Sequence, residues 1–81
     1  AVGGMQYLRE QGVRVPQECA VAGIGNLLVS RVVEPALTTV DCFYEEVGGM
    51  AARLLLEALE HGERPSGIHF MPYRILERGT V

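Results

Sequence analysis

The sequence predicts an α/β fold with parallel sheets flanked by helices, on three observations. Helical and extended patterns alternate along the chain, a short apolar run reads as a strand buried on both faces, and Gly or Pro marks most changes of pattern. Such alternation is what parallel strands joined by helical crossovers require.

Val2, Met5 and Leu8 recur every three residues, with Gln6, Arg9 and Glu10 on the other side, so Ala1 to Gln11 reads as a helix. Gly12 is its expected C′ residue, and Pro16 prevents continuation. Cys19 to Ile24 is the continuous apolar run; its shortness and flanking turn signals favour a strand with both faces covered. Gly25-Asn26 then turns the chain. Leu27 to Val33 reads as a short helix that ends before Pro35, because a residue preceding proline is pushed out of the α region. Leu37 to Val40 is β-branched and reads as a strand.

The clearest element is the helix 44–61. Tyr44, Val47, Met50, Ala51, Leu54, Leu55, Ala58 and Leu59 form a wide apolar stripe, while Glu45, Glu46, Arg53, Glu57 and Glu60 take the solvated side. Gly62 closes it and Pro65 follows. Gly48 and Gly49 inside it cost roughly 1 kcal/mol each relative to Ala, which suggests close approach of a neighbour. Ile68 to Met71 and Tyr73 to Leu76 read as two strands split by Pro72. A twisted open sheet has about four to six strands, so the rest are expected upstream or in another molecule.

The 81 residues, 48% of them hydrophobic, allow one small domain at most. Free-standing domains of this size bury only about 60–65% of their unfolded surface and often need a metal, disulfides or a partner. Two cysteines and two histidines at unrelated spacings supply neither staple, so a fragment, or a chain completed by another copy, is expected. Seven basic residues, all Arg, stand against ten acidic ones, net charge −3, which argues against this segment being a nucleic-acid contact surface. No apolar run approaches the length of a membrane span, and no basic-then-apolar leader opens the chain. Cys19 and Cys42, without a C-x-x-C pattern, read as reduced cytosolic thiols, one of them buried.

Several segments, read in order, carry a resemblance. Gly12 to Glu18 matches a "G-x-x-V-P-x-D/E" turn, Cys19 to Ile24 an "I-A-V-V-G-F" strand, and Pro35 to Val40 the run "P-x-L-T-T-V". Gly48, Ala51-Ala52 and Leu54-Leu55 match a "G-x-x-A-A-x-x-L-L" helix, and Leu76 to Thr80 resembles a terminal "L-I-x-R-x-S/T". Together they resemble the C-terminal end of the effector-binding domain of the LacI/GalR family of bacterial transcriptional repressors. The resemblance implies part of a two-subdomain, periplasmic-binding-protein-like fold around a cleft. It would place residues 1–40 in the C-terminal subdomain, 41–70 with the long helix 44–61 in the N-terminal subdomain, and 71–81 back in the C-terminal one. A DNA-binding headpiece is absent from these residues.

Candidate ligand-binding residues are Gly25, Asn26, Asp41, Cys42 and Tyr44. Gly25-Asn26 follows a strand, at the edge where open α/β sheets bind ligands. The family pattern has Asp-Asp here, so a carboxylate is lost, although an Asn amide still donates and accepts. Asn26 could equally be a plain turn residue. Tyr44 offers a ring to stack on a sugar face and a hydroxyl, or it merely staples the helix start. Asp41, Cys42 and Tyr44 follow the crossover strand, where the resemblance places cleft-lining residues that match Cys42 and Tyr44; Asp41 contacts the ligand beside them or serves as an N-cap. Val32 and Val33 fall where the family forms its subunit contact, or they are intramolecular core.

Other features carry little. Gly23-Ile24-Gly25 lacks the third glycine of a dinucleotide fingerprint, since Leu28 stands there. Glu45 and Glu46 are adjacent and point apart on a helix. His61 and His69 share no ligand spacing with the cysteines, so no metal site is expected. Ser30 and Ser66 lack a nucleophile context, and Arg53 with Glu57 makes an exposed i,i+4 pair.

The expectation is therefore a non-enzymatic, cofactor-free, cytoplasmic regulator segment. It would form a homodimer, bind a small effector such as a sugar, touch DNA only through a headpiece, and avoid membranes. The alternative is a sugar-binding protein of a transport system with the same fold.

Overall fold

Helix α1 (Val2–Glu10), strand β1 (Ala22–Ile24), helix α2 (Leu28–Val32), strand β2 (Thr38–Asp41), helix α3 (Tyr44–His61) and strand β3 (Arg74–Leu76) follow one another in the computed structural model, which describes residues 1–81. The sheet order is β1-β2-β3. β1 and β2 run parallel, with Ala22 opposite Thr38 and Ile24 opposite Val40. β2 and β3 run antiparallel, with Thr39 opposite Leu76 and Asp41 opposite Arg74.

Local chemistry fixes the boundaries. After Gln11, Gly12 takes φ +75°, its N–H bonds Arg9 O at 3.0 Å, and the next N–H, of Val13, reaches Leu8 O at 2.9 Å. These paired bonds satisfy the last carbonyls of α1 in the manner of a left-handed glycine cap. Gly62 ends α3 in the same left-handed region at φ +68°, where its own N–H and that of Glu63 both reach Ala58 O. The turn after β1 uses two left-handed residues in succession, Gly25 at φ +117° and Asn26 at φ +49°. The first asks for glycine, and the second suits asparagine.

The structure departs from the sequence reading in four places. The sheet is mixed: parallel pairing holds for β1 and β2, but the last strand returns against β2 in the opposite sense. Residues 68–71 form no strand; only Arg74–Leu76 pairs, and Pro72, lacking an N–H, lies just before it. The apolar run 19–24 forms a strand over Ala22–Ile24 alone, and it is not covered on both faces, because no element of this chain lies over Ile24, which is 76% exposed. Gly48 and Gly49 have open space beside them rather than a close neighbour.

Burial explains the outline. The buried apolar side chains are Met5 and Leu37, while Ser30, Thr38, Thr39 and Thr80 are buried polar residues, Thr39 and Thr80 fully so. The best-covered place in the chain is thus a polar seam where α2, the start of β2 and residues 78–80 meet. α3 buries no residue and presents its stripe outward, with Leu59 80% exposed. The chain extends over 58 × 21 × 19 Å with a radius of gyration of 18.0 Å, against about 12 Å for a compact domain of this length. Both cysteines are half-buried and unpaired with each other.

Candidate functional site

The C-terminal ends of the two parallel strands come together at one edge. The Gly25 N–H donates to Val40 O at 2.8 Å, prolonging the β1–β2 ladder by one bond. The chain then turns, and the Asn26 N–H donates to Thr39 Oγ1 at 3.2 Å. These bonds hold the residue 26 side chain beside the end of β2, where Asn26 Nδ2 donates to Asp41 Oδ2 at 3.3 Å.

Asp41 is not the N-cap of α3. That position belongs to Phe43, in the left-handed region at φ +49°, and no side chain caps the helix. Asp41 instead accepts the Phe43 N–H on Oδ1 at 2.9 Å. Such a two-residue reach back is how Asp imitates a backbone turn, and here it shapes the passage from β2 into α3. Its other oxygen faces Asn26 and, at 3.7 Å, the guanidinium of Arg74, which also lies 5.8 Å from the Phe43 ring centre.

Tyr44, at the start of α3, leans toward the β1 turn. A side chain on residue 25 would meet the Tyr44 hydroxyl at 3.4 Å, so the phenol stands before the space that glycine leaves open. The residue is 58% exposed. Cys42 is half-buried between Asp41 and Phe43 in sequence and takes no part in this hydrogen-bonded group.

The sequence reading did not give Arg78 a role, yet it binds the group from below. Its Nη2 donates to Asn26 Oδ1 at 2.8 Å, and its Nη1 donates to Ser30 Oγ at 3.0 Å and Leu37 O at 3.2 Å. Its backbone N–H donates to Thr38 Oγ1 at 2.9 Å. Ser30 in turn donates to Leu27 O at 2.6 Å. One sequence signal was available, the "R-x-S/T" ending. The partners lie 40 to 52 residues away in sequence, beyond the reach of any local pattern.

Of the two valines, Val32 is 69% exposed, whereas Val33 is half-buried beside Val2, Met5 and Gln6 of α1. Only Val32 points outward. Arg53 and Glu57 make no ion pair; the pairs present are Arg14 with Glu18 at 2.7 Å and Arg74 with Asp41. Long solvated side chains on α3 have nothing to restrain them in one geometry. No three His, Cys, Asp or Glu side chains stand close enough to share a metal ion, and no helix is long and apolar enough to cross a membrane.

Comparison with known proteins gives concordant matches. The model of the periplasmic binding protein-like domain matches residues 1–81. The HTH-type transcriptional repressor PurR of Vibrio atlanticus (strain LGP32) is 35% identical over 81 residues, covering all of this chain and 24% of that protein. Among solved structures, the lac repressor dimer bound to operator and the anti-inducer ONPF is 29% identical with a TM-score of 0.86, over 99% of this chain and 28% of that one. A LacI family transcriptional regulator from Arthrobacter sp. FB24, in complex with lactose, is 29% identical with a TM-score of 0.83, over 99% of this chain and 30% of that one. The chain thus spans about a quarter of the length of the relatives it matches.

Proposed function

The chain belongs to the periplasmic binding protein-like domain family, in the form found in LacI-type transcription regulators, and from that premise we propose that it is the C-terminal part of the effector-binding domain of a bacterial DNA-binding repressor that responds to a sugar. The observation that carries this reading is the convergence of Gly25, Asn26, Asp41 and Tyr44 at the C-terminal end of the parallel pair β1–β2. That edge is where open α/β sheets bind small molecules. A ring for stacking, a carboxylate and an amide suit a polyhydroxylated ligand. The complex of a similar regulator with lactose supports a sugar as the ligand class.

In this reading residues 1–40 belong to one subdomain, 41–70 to the other, and 71–81 return to the first. The Thr38 N–H bond to Thr80 Oγ1 at 2.9 Å and the Arg78 bonds support the return. The outward stripe of α3 supports its assignment to the other subdomain, whose remaining elements it would pack against. The protein works as a homodimer in the cytoplasm, with Val32 in the subunit contact. DNA is held by a headpiece outside these residues. The effector binds one closure state of the cleft better than the other, and that difference shifts the population that binds DNA.

The test uses the full-length protein. A thermal-shift screen over neutral sugars identifies the effector, and calorimetry then compares wild type with Tyr44→Ala and Asp41→Asn. Each variant is expected to weaken binding by about 1–3 kcal/mol, with operator binding retained in the absence of effector. Wild-type affinity in both variants would remove this edge from the cleft. Failure of every sugar to raise the melting temperature would remove the ligand class.

A further inference from the structure

We infer that Arg78 is a positioning residue that fixes which way the Asn26 amide points, and thereby makes residue 26 a hydrogen-bond donor toward the cleft. An Asn side chain has an accepting end and a donating end of nearly identical shape, and only its neighbours decide between them. Here the neighbours leave no choice. A guanidinium carries donors alone, so the end 2.8 Å from Arg78 Nη2 is the oxygen. An ionised carboxylate carries acceptors alone, so the end 3.3 Å from Asp41 Oδ2 is the nitrogen. A flipped amide would set N–H against N–H at one end and oxygen against oxygen at the other.

Arg78 is itself immobilised. Ser30 Oγ and Leu37 O hold Nη1, and the residue's own N–H is bound to Thr38 Oγ1, so the guanidinium is tied to α2 and to β2 together. Asp41 is held likewise by the Phe43 N–H. The amide therefore bridges two anchored groups of opposite charge. Asp41 takes one of the Nδ2 hydrogens, and the other has no acceptor in the chain. Beside it stands the Asp41 carboxylate. The edge thus offers one donor next to one acceptor, a pattern that a pair of neighbouring hydroxyls satisfies. This last step rests on the effector reading above; the amide orientation does not.

The experiment reads the orientation without any ligand. The Asn26 side-chain amide is followed by nitrogen-15 NMR in the full-length protein, assigned by its loss in Asn26→Ser. The expected result is two resolved hydrogens, one exchanging about 2–10-fold more slowly than the other, as one added hydrogen bond implies. Arg78→Lys, which keeps a donor-only group, should preserve this asymmetry. Arg78→Gln, which can donate or accept, leaves Asp41 alone to select the orientation and should reduce it. Asp41→Asn, which replaces a charged acceptor by a neutral one, should reduce it from the other end, so the inference stays testable if one variant does not fold. Equal exchange of the two hydrogens in the wild type would overturn it. So would an unchanged pattern in Arg78→Gln, or identical losses in Arg78→Lys and Arg78→Gln, which would reduce Arg78 to a packing role.

Discussion

Replacing Thr80 by Val should break the polar seam while keeping its shape. Thr80 is 0% exposed, its Oγ1 accepts the Thr38 N–H at 2.9 Å, and its carbonyl accepts the Val21 N–H at 2.9 Å. One residue therefore ties the approach to β1 to the start of β2. Val retains the branched volume and replaces the hydroxyl by a methyl, leaving the Thr38 N–H without its acceptor at a buried position. A buried unsatisfied donor costs about 1–3 kcal/mol. Thr80→Ser keeps the acceptor and removes one methyl, worth about 1 kcal/mol.

The two variants separate hydrogen bonding from packing. The suitable assay is amide hydrogen exchange at Thr38 in the full-length protein, because a multi-subdomain chain need not unfold in a single step. A loss of about 1–3 kcal/mol corresponds to exchange about 5–150-fold faster in Thr80→Val, with a smaller change in Thr80→Ser. Exchange at the wild-type rate in Thr80→Val would refute the bond as a source of local stability. Equal acceleration in both variants would show that volume, not the hydroxyl, holds the seam.

Two further outcomes follow from single residues. Gly25→Ala places a side chain at φ +117° and 3.4 Å from the Tyr44 hydroxyl, which should cost about 1–3 kcal/mol in a thermal melt; because the backbone carries most of this, the same loss should persist in a Tyr44→Ala background. Val32→Glu should weaken self-association of the full-length protein in sedimentation at low concentration, whereas Val33→Glu, beside α1, should lower the melting temperature; the reverse pattern would exchange the two roles.

The elements read most clearly in the sequence were those whose causes are local. The three-residue spacing in α1, the stripe of α3, the glycine caps at Gly12 and Gly62 and the Gly25-Asn26 turn each depend on a few neighbouring residues, and each is where the pattern placed it. The direction of β3 was not legible, since a strand's own residues do not say which way it pairs. The exposure of Ile24 was not legible either, because an apolar strand states what it would bury against but not whether this chain supplies it. At the candidate site, Gly25 and Asn26 could be named from their place after a strand, and Asp41 and Tyr44 through the family resemblance of the segment that follows β2. Arg78 could not be given a role, because it acts on Asn26 across 52 residues, through contacts that exist only once β3 has turned back along β2.

That return makes an amide a workable choice at residue 26. An Asp there would stand 2.8 Å from Arg78 and 3.3 Å from Asp41 if the geometry were kept. At an effective dielectric of about 20, the attraction is roughly 6 kcal/mol and the repulsion roughly 5 kcal/mol. Partial exposure reduces both terms, so the difference falls below about 1 kcal/mol. The amide avoids the repulsion and still bonds to both ions. Asn26→Asp should therefore change stability by less than about 1 kcal/mol, and Asn26→Leu should cost more, about 1.5–3 kcal/mol, because each charged group loses a hydrogen-bond partner at a half-buried position. Thermal melts of the full-length protein at two salt concentrations check the ordering. Added salt should leave the deficit of Asn26→Leu nearly unchanged, since an apolar side chain introduces no charge to screen. If Asn26→Leu melted with the wild type, neither the amide bridge nor the fit of Asn to the left-handed backbone at φ +49° would contribute to stability.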